Sequence, residues 1–330
     1  MSESKLIVVA GATGGQGGSV ISALLKHAGE YSLRGITRNA SSERAKALAA
    51  QGVQIAVADL NDEVSVECAF QDAFAIFAVT DFFEPFAKTG GEATAAMEID
   101  YAQGINMVKA ASKIPTLQHY IWSTLPNSTV LSQGKVTVPH FDAKARVDDF
   151  IRQDKEFLAK TTFAMFGMYA ENMLYPIFMP FYMNANKYVQ VFPCDPKLSV
   201  PSLGDHRTNV GIFTRAILKN PPVGGTYIQC SVEDFDLESY LATWGRASGR
   251  APTPGSTMIL QVSFEQYCEL YPGGWGEEIG SQMVLFDLLR KNGAPPVKIM
   301  SAQELMSEEE KKELVRTEDA MKALDWNVIL

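Results

Sequence analysis

The chain has 330 residues, 46% of them hydrophobic and 20% charged, enough to bury a substantial core without disulfides or a structural metal. Its length predicts two domains, or one large α/β unit with an appended lobe. Against 38 acidic residues stand 29 Lys and Arg, a net charge of −9 that argues against direct binding of nucleic-acid phosphates, and the composition excludes a disordered chain, a collagen-like repeat and a disulfide scaffold.

In chain order, Leu6–Ala10 is an unbroken apolar run, too short for a helix, and predicts a buried strand. Gly17–His27 then has helical spacing. Tyr31–Thr37 predicts a second strand, Ser42–Gln51 a helix stopped by Gly52, and Val53–Ala58 a third strand. Ala73–Thr80 is the fourth, Glu92–Lys113 a long helix and His119–Ser123 the fifth strand. Phe141–Arg152 is another helix and Thr162–Met168 the sixth strand. Apolar strands alternating with helices imply a parallel sheet covered on both faces, so a Rossmann-type, doubly wound α/β fold is expected.

From about residue 169 the rhythm changes. Prolines and glycines become frequent, and short strands at Thr226–Cys230 and Met258–Val262 are interleaved with helices. Ser263 with Gln266 and Ser301 with Glu304 have capping-box spacing. The charge run Glu308–Lys312 predicts a solvated helix face. The expected division is 1–168 and 169–330, the second part a smaller mixed α+β lobe with some of its chain returning to the main sheet.

Cys68, Cys194, Cys230 and Cys268 lie far apart without metal-ligand spacing, which predicts reduced thiols, no metal site and a cytoplasmic location. The start, Met1-Ser2-Glu3-Ser4-Lys5, does not read as a secretory signal. Phe163–Met183 is dense in Phe, Met and Tyr but broken by Glu171, Asn172, Pro176 and Pro180, so it predicts a protein interior or pocket wall rather than a membrane span.

The most informative stretch runs from Lys5 through Gly11-Ala12-Thr13-Gly14-Gly15-Gln16-Gly17 to Ser19. A strand, a glycine turn and a helix start stand in the order a pyrophosphate site requires, because glycines let the backbone approach closely and the helix end offers free N–H groups. The second strand ends Thr37-Arg38-Asn39, without the carboxylate that holds an NAD ribose. Arg38 is placed to meet the 2′-phosphate of NADP, with Lys46 as a second cation; an ordinary surface arginine is the alternative.

The Gly-Ala-Thr-Gly-x-x-Gly opening resembles the atypical, extended branch of the short-chain dehydrogenase/reductase superfamily, and within it the NmrA-like family of reductases and NADP(H)-sensing regulators. The resemblance covers most of the chain and is strongest over residues 5–185. It implies an NADP(H)-binding domain over 1–168 in which Gly11, Thr13, Gly14, Gln16, Gly17, Arg38 and Thr80 meet the cofactor. Asp59 matches the family's acidic residue near the adenine, with a helix cap as the other reading. The superfamily's Tyr-x-x-x-Lys pair corresponds here to His140 and Lys144, with Ser123 ending the preceding strand. The resemblance thus implies that His140 or Lys144 transfers a proton and Ser123 orients a carbonyl, or that Lys144 only contacts the cofactor.

Tyr169-Ala170-Glu171-Asn172 resembles the family's aromatic-x-Glu-Asn stretch, placing Tyr169 and Asn172 beside the nicotinamide. Met173, Phe178 and Met183 are expected to line an apolar pocket or to be plain core, and the Phe82-Phe83 aromatics to flank the nicotinamide or simply to pack. Two functions follow from the resemblance. One is an NADPH-dependent reductase transferring hydride to a C=O, C=N or conjugated C=C of a small apolar or aromatic substrate. The other is a non-catalytic NADP(H) sensor acting through a protein partner.

Overall fold

The computed structural model describes residues 4–27, 29–293 and 298–328. Met1–Glu3, on which the reading against a secretory signal rests, lie outside the described residues. Alternation inside β1 (Lys5–Val9) sets the layers: Ile7 and Val9 enter one core cluster and Val8 the other, all fully buried. β2 (Tyr31–Thr37), β3 (Gln54–Val57), β4 (Ala75–Ala78), β5 (His119–Thr124) and β6 (Thr161–Phe166) each follow a helix. β4, β5 and β6 are buried at every residue, as strands covered by helices on both faces are, although only β4 is wholly apolar.

The sixth strand stops earlier than its apolar run suggests. Gly167 packs its backbone against the Pro201 carbonyl, leaving no room for a Cβ, and Met168–Tyr169 becomes a separate strand, β7. β8 (Phe181–Met183), β9 (Lys187–Phe192) and β10 (Ser199–Gly204) come next. β11 (Thr226–Cys230), β12 (Glu233–Asp236), β13 (Thr257–Gln261) and β14 (Ile299–Ser301) complete the set. The main sheet has eight strands, all parallel, in the order β14-β11-β6-β5-β4-β1-β2-β3. Two three-stranded sheets, β12-β10-β7 and β13-β9-β8, belong to the second half.

The second half therefore returns to the first. β11 and β14 extend the main sheet beyond β6. The His206–Lys219 helix lies on the Gly15–Leu25 helix, where Gly211 N–H donates to Ser19 Oγ at 2.8 Å and any Cβ on Gly211 would strike the Ser19 backbone. Together they bury Val20, Ile21, Leu24, Val210, Phe213 and Ile217, each contributing about 1.5–3 kcal/mol from apolar burial. The opposite face is covered by the Glu63–Phe70, Ala93–Ser112 and Pro139–Ile151 helices. A third core, around Trp244, Tyr240, Tyr267 and Met283, holds the remainder of the second half.

Both expected capping boxes form, although the Ser301 box opens a 3-10 turn, Ala302–Leu305, rather than an α-helix. A third box joins Ser307 and Glu310. Glu310 is buried and pairs with Lys219 at 3.2 Å, so the 308–312 charge run is only partly solvated. Within the Phe163–Met183 stretch, Met173 is core and Met183 is exposed on β8. Among the described residues no helix is long and apolar enough to cross a membrane.

Candidate functional site

β1 lies between β2 and β4, so the chain's path reverses beside it, and a crevice opens at the carboxyl ends of β1 and β4. The glycine turn leaves β1 into this crevice. Gly11 has φ +61° and accepts a hydrogen bond from Gly14 N–H at 2.8 Å, closing a tight turn. Gly17 sits so close to the Ala10 and Gly11 carbonyls that any Cβ would overlap them. Gly14 caps the following helix without a side-chain bond, so the helix's first N–H groups stay free for an anion.

The turn is tied to the second half by Gln16, whose Nε2 donates to Tyr169 Oη at 2.7 Å while its Oε1 is buried without a partner. The Tyr169 ring stacks on His206 with centroids 4.5 Å apart, and burial pushes its phenol up to about 12. Burial likewise holds His206 below its usual range, against the pull of Glu171 at 3.4 Å. Any side chain on Gly15 would collide with the His206 ring.

At the outer end of the crevice Arg38 is mostly exposed and forms an ion pair with Glu84 at 2.6 Å. Lys88 shares that carboxylate at 2.7 Å, and the two cations hold Glu84 down at about 2, Arg38 contributing most. Lys46 pairs with Glu43 instead of facing the turn; the cation that reaches the turn is Arg44, donating to the Thr13 carbonyl at 3.1 Å. Asp59 is exposed and accepts hydrogen bonds from Asn61, while the cap of the next helix is Asp62.

The three expected catalytic side chains part company. Lys144 turns to the end of β4, where its ammonium donates to Thr80 Oγ1 at 2.7 Å and the Thr80 carbonyl at 3.1 Å, and pairs with buried Asp100 at 3.1 Å. Ser123 is buried at the end of β5 and does not line the cavity. His140, one helical turn before Lys144, does line it. This cavity, of about 1170 Å³, opens beside β7 and is walled by Phe83, Tyr169, Asn172, Phe178, Tyr271 and Trp275 among others. Phe83 stacks on Trp275 with centroids 5.7 Å apart and lies 5.3 Å from the His140 ring. Met173 and Met183 do not reach it; of the three expected wall residues only Phe178 does, and the methionines in the wall are Met165, Met168 and Met283.

His140 is held from the far side by Glu278, on the Trp275–Asn292 helix. The Glu278 carboxylate accepts the His140 backbone N–H at 3.0 Å and pairs with the ring Nδ1. Glu278, Asp100, Arg44 and His206 all escape sequence reasoning. The Trp-Gly-Glu-Glu start of the Glu278 helix is a sequence signal only for a helix N-terminus.

A profile of the NmrA-like family matches residues 3–314. The chain belongs to the NmrA-like family. An NmrA-like family domain-containing oxidoreductase of Aspergillus hancockii is 29% identical over 197 residues, 58% of this chain and 56% of that one. This chain therefore spans little more than half of that relative. NmrA, a negative transcriptional regulator, in complex with NADP, superposes with a TM-score of 0.70 at 24% identity, over 98% of this chain and 99% of that one. Citrobacter sp. triphenylmethane reductase complexed with NADP(H) does so with a TM-score of 0.65 at 19% identity, over 96% and 98%. For the NmrA-like chain these two likenesses establish the shared fold.

Proposed function

We propose that this NmrA-like protein is an NADPH-dependent reductase of small apolar or aromatic molecules, reducing a C=O, C=N or conjugated C=C bond. One observation carries the reading: His140 presents its ring to an aromatic cavity at the same sheet edge as the glycine turn. The residues fit the dinucleotide. Uncapped N–H groups at Gly15–Gly17 suit the pyrophosphate, and the orphaned Gln16 Oε1 awaits a donor. Arg38, once it exchanges Glu84, suits the 2′-phosphate, and we assign Thr13, Asp59, Thr80, Lys144, Tyr169 and Asn172 to the rest of the dinucleotide. The oxidoreductase relative and the NADP-bound neighbours support the same choice.

NADPH supplies the hydride. The chain's own part is to exclude water with Phe83 and Trp275, to orient the substrate, and to give a proton from His140 Nε2 to the substrate atom that gains charge. Lys144, held by Thr80 and Asp100, is a cofactor contact rather than the proton donor. Free thiols at all four cysteines support a reducing, cytoplasmic setting. The test is NADPH consumption with a panel of imines, quinones, enones and ketones. Consumption with at least one acceptor is expected. Binding of NADPH without oxidation by any of them would favour the sensor reading, which the diversion of Lys144 away from the cavity also supports.

A further inference from the structure

The His140–Glu278 pair has features that a simple packing contact lacks. The Glu278 carboxylate is completely buried, and its Oε2 has no partner. Among the described residues its one cationic partner is the imidazole of His140. A carboxylate in such a place is costly unless a charge or strong donors face it, so it favours a proton on the His140 Nδ1 that points at it. The backbone adds a second constraint. The helix beginning at Pro139 has no side-chain cap of its own, and Glu278 accepts the free N–H of its second residue. One carboxylate thus fixes both the start of the helix and the ring it carries. Phe82, Phe83 and Phe141 pack around that ring and limit its rotation.

We infer that Glu278 is a positioning residue: it holds the Nδ1–H tautomer of His140, so that Nε2 is the nitrogen presented to the cavity. Nε2 has no hydrogen-bond partner among the described residues. In the charged ring, the Nε2–H bond breaks as the substrate's new O–H, N–H or C–H bond forms. The electron pair stays on Nε2, and the remaining neutral ring keeps its Nδ1–H on Glu278. Solvent returns the proton for the next cycle. The inference rests on the reductase reading for its chemistry, but not for its geometry.

Only four histidines occur, so selective ¹⁵N-histidine labelling resolves His140 after comparison with His140→Gln. The wild-type protein is expected to carry the neutral-form proton on Nδ1, and Glu278→Gln to lose that preference. With an accepted substrate, Glu278→Gln is expected to lower kcat about 100-fold while KM and NADPH affinity change by less than about threefold. A glutamine still accepts the helix N–H, so a purely structural role predicts wild-type turnover. Wild-type His140 protonated on Nε2 in its neutral form, or Glu278→Gln turning over like wild type, overturns the inference. If wild type oxidises NADPH with no acceptor, the reductase reading fails, and the tautomer measurement on the wild-type protein alone decides the role of Glu278.

Discussion

At the glycine turn the groups that matter are neighbours in sequence, whereas His140 and Glu278 stand 138 residues apart and meet only through the docking of the second half on the first. The turn is an arrangement of backbone: missing side chains, a left-handed Gly11 and free N–H groups. The cavity end is an arrangement of side chains, buried and held by partners from distant elements. Local chain geometry suffices to hold an anion, because any backbone offers N–H donors. Placing one imidazole nitrogen requires packing from several directions.

This contrast can be broken most easily at the turn. Gly17→Val drives a side chain into the Ala10 and Gly11 carbonyls. Loss of measurable NADPH binding is expected, with a stability cost of about 1–3 kcal/mol in denaturant titration. Unchanged binding would mean that the turn is not the cofactor's cradle. At the other end, His140→Ala is expected to lower kcat about 100-fold with NADPH affinity kept within about threefold. Steady-state kinetics with a fluorescence binding assay separate the two, and unchanged turnover would exclude His140 as the proton donor.

Arg38→Ala sharpens the comparison further, weakening NADPH about tenfold or more and leaving NADH nearly unaffected. Equal losses for both dinucleotides would remove the 2′-phosphate argument. Glu84→Gln, which frees Arg38 from its ion pair, should act in the opposite direction by about two- to threefold.

The smallest effect concerns pH. The hydrogen bond from Arg38, aided by Lys88, lowers the Glu84 carboxylate from 4.5 to about 2. Its stabilising contribution is therefore present above the ordinary carboxylate range and fades as pH falls from 4.5 toward 2. The pair is largely exposed, so solvent screening keeps this contribution below about 1 kcal/mol. Carbon-13 NMR of Glu84 should show its midpoint rise in Arg38→Ala. An unmoved midpoint would show that Lys88 alone holds the charge.

The central sheet was legible because its inner strands, β1 and β4 to β6, are buried along most or all of their length and form apolar-rich runs, while the edge strand β3 is half exposed. β14 was not, since three residues with an exposed Ile299 leave no such run. The β11 segment read as a strand, but nothing local tells which sheet it joins. In the site, Gly11, Gly14 and Gly17 announced themselves through spacing. His140 and Lys144 were found by position on one helix, yet a shared face did not give them a shared role. Asp100 and Thr80 draw the ammonium one way, and Glu278 holds the imidazole another. Met183 shows the same limit from the other side, an apolar residue whose short edge strand leaves it in solvent.

By itself, the sequence determined the parallel sheet, the glycine turn at its crevice and the absence of an acidic residue after β2, because each depends on residues adjacent in the chain. Only the tertiary structure decided that Arg38 meets Glu84, that Lys144 is drawn to Thr80 and Asp100, and that a buried carboxylate stands behind His140. Those outcomes depend on which side chains are left without a partner once the two halves pack, and chain spacing carries no record of that.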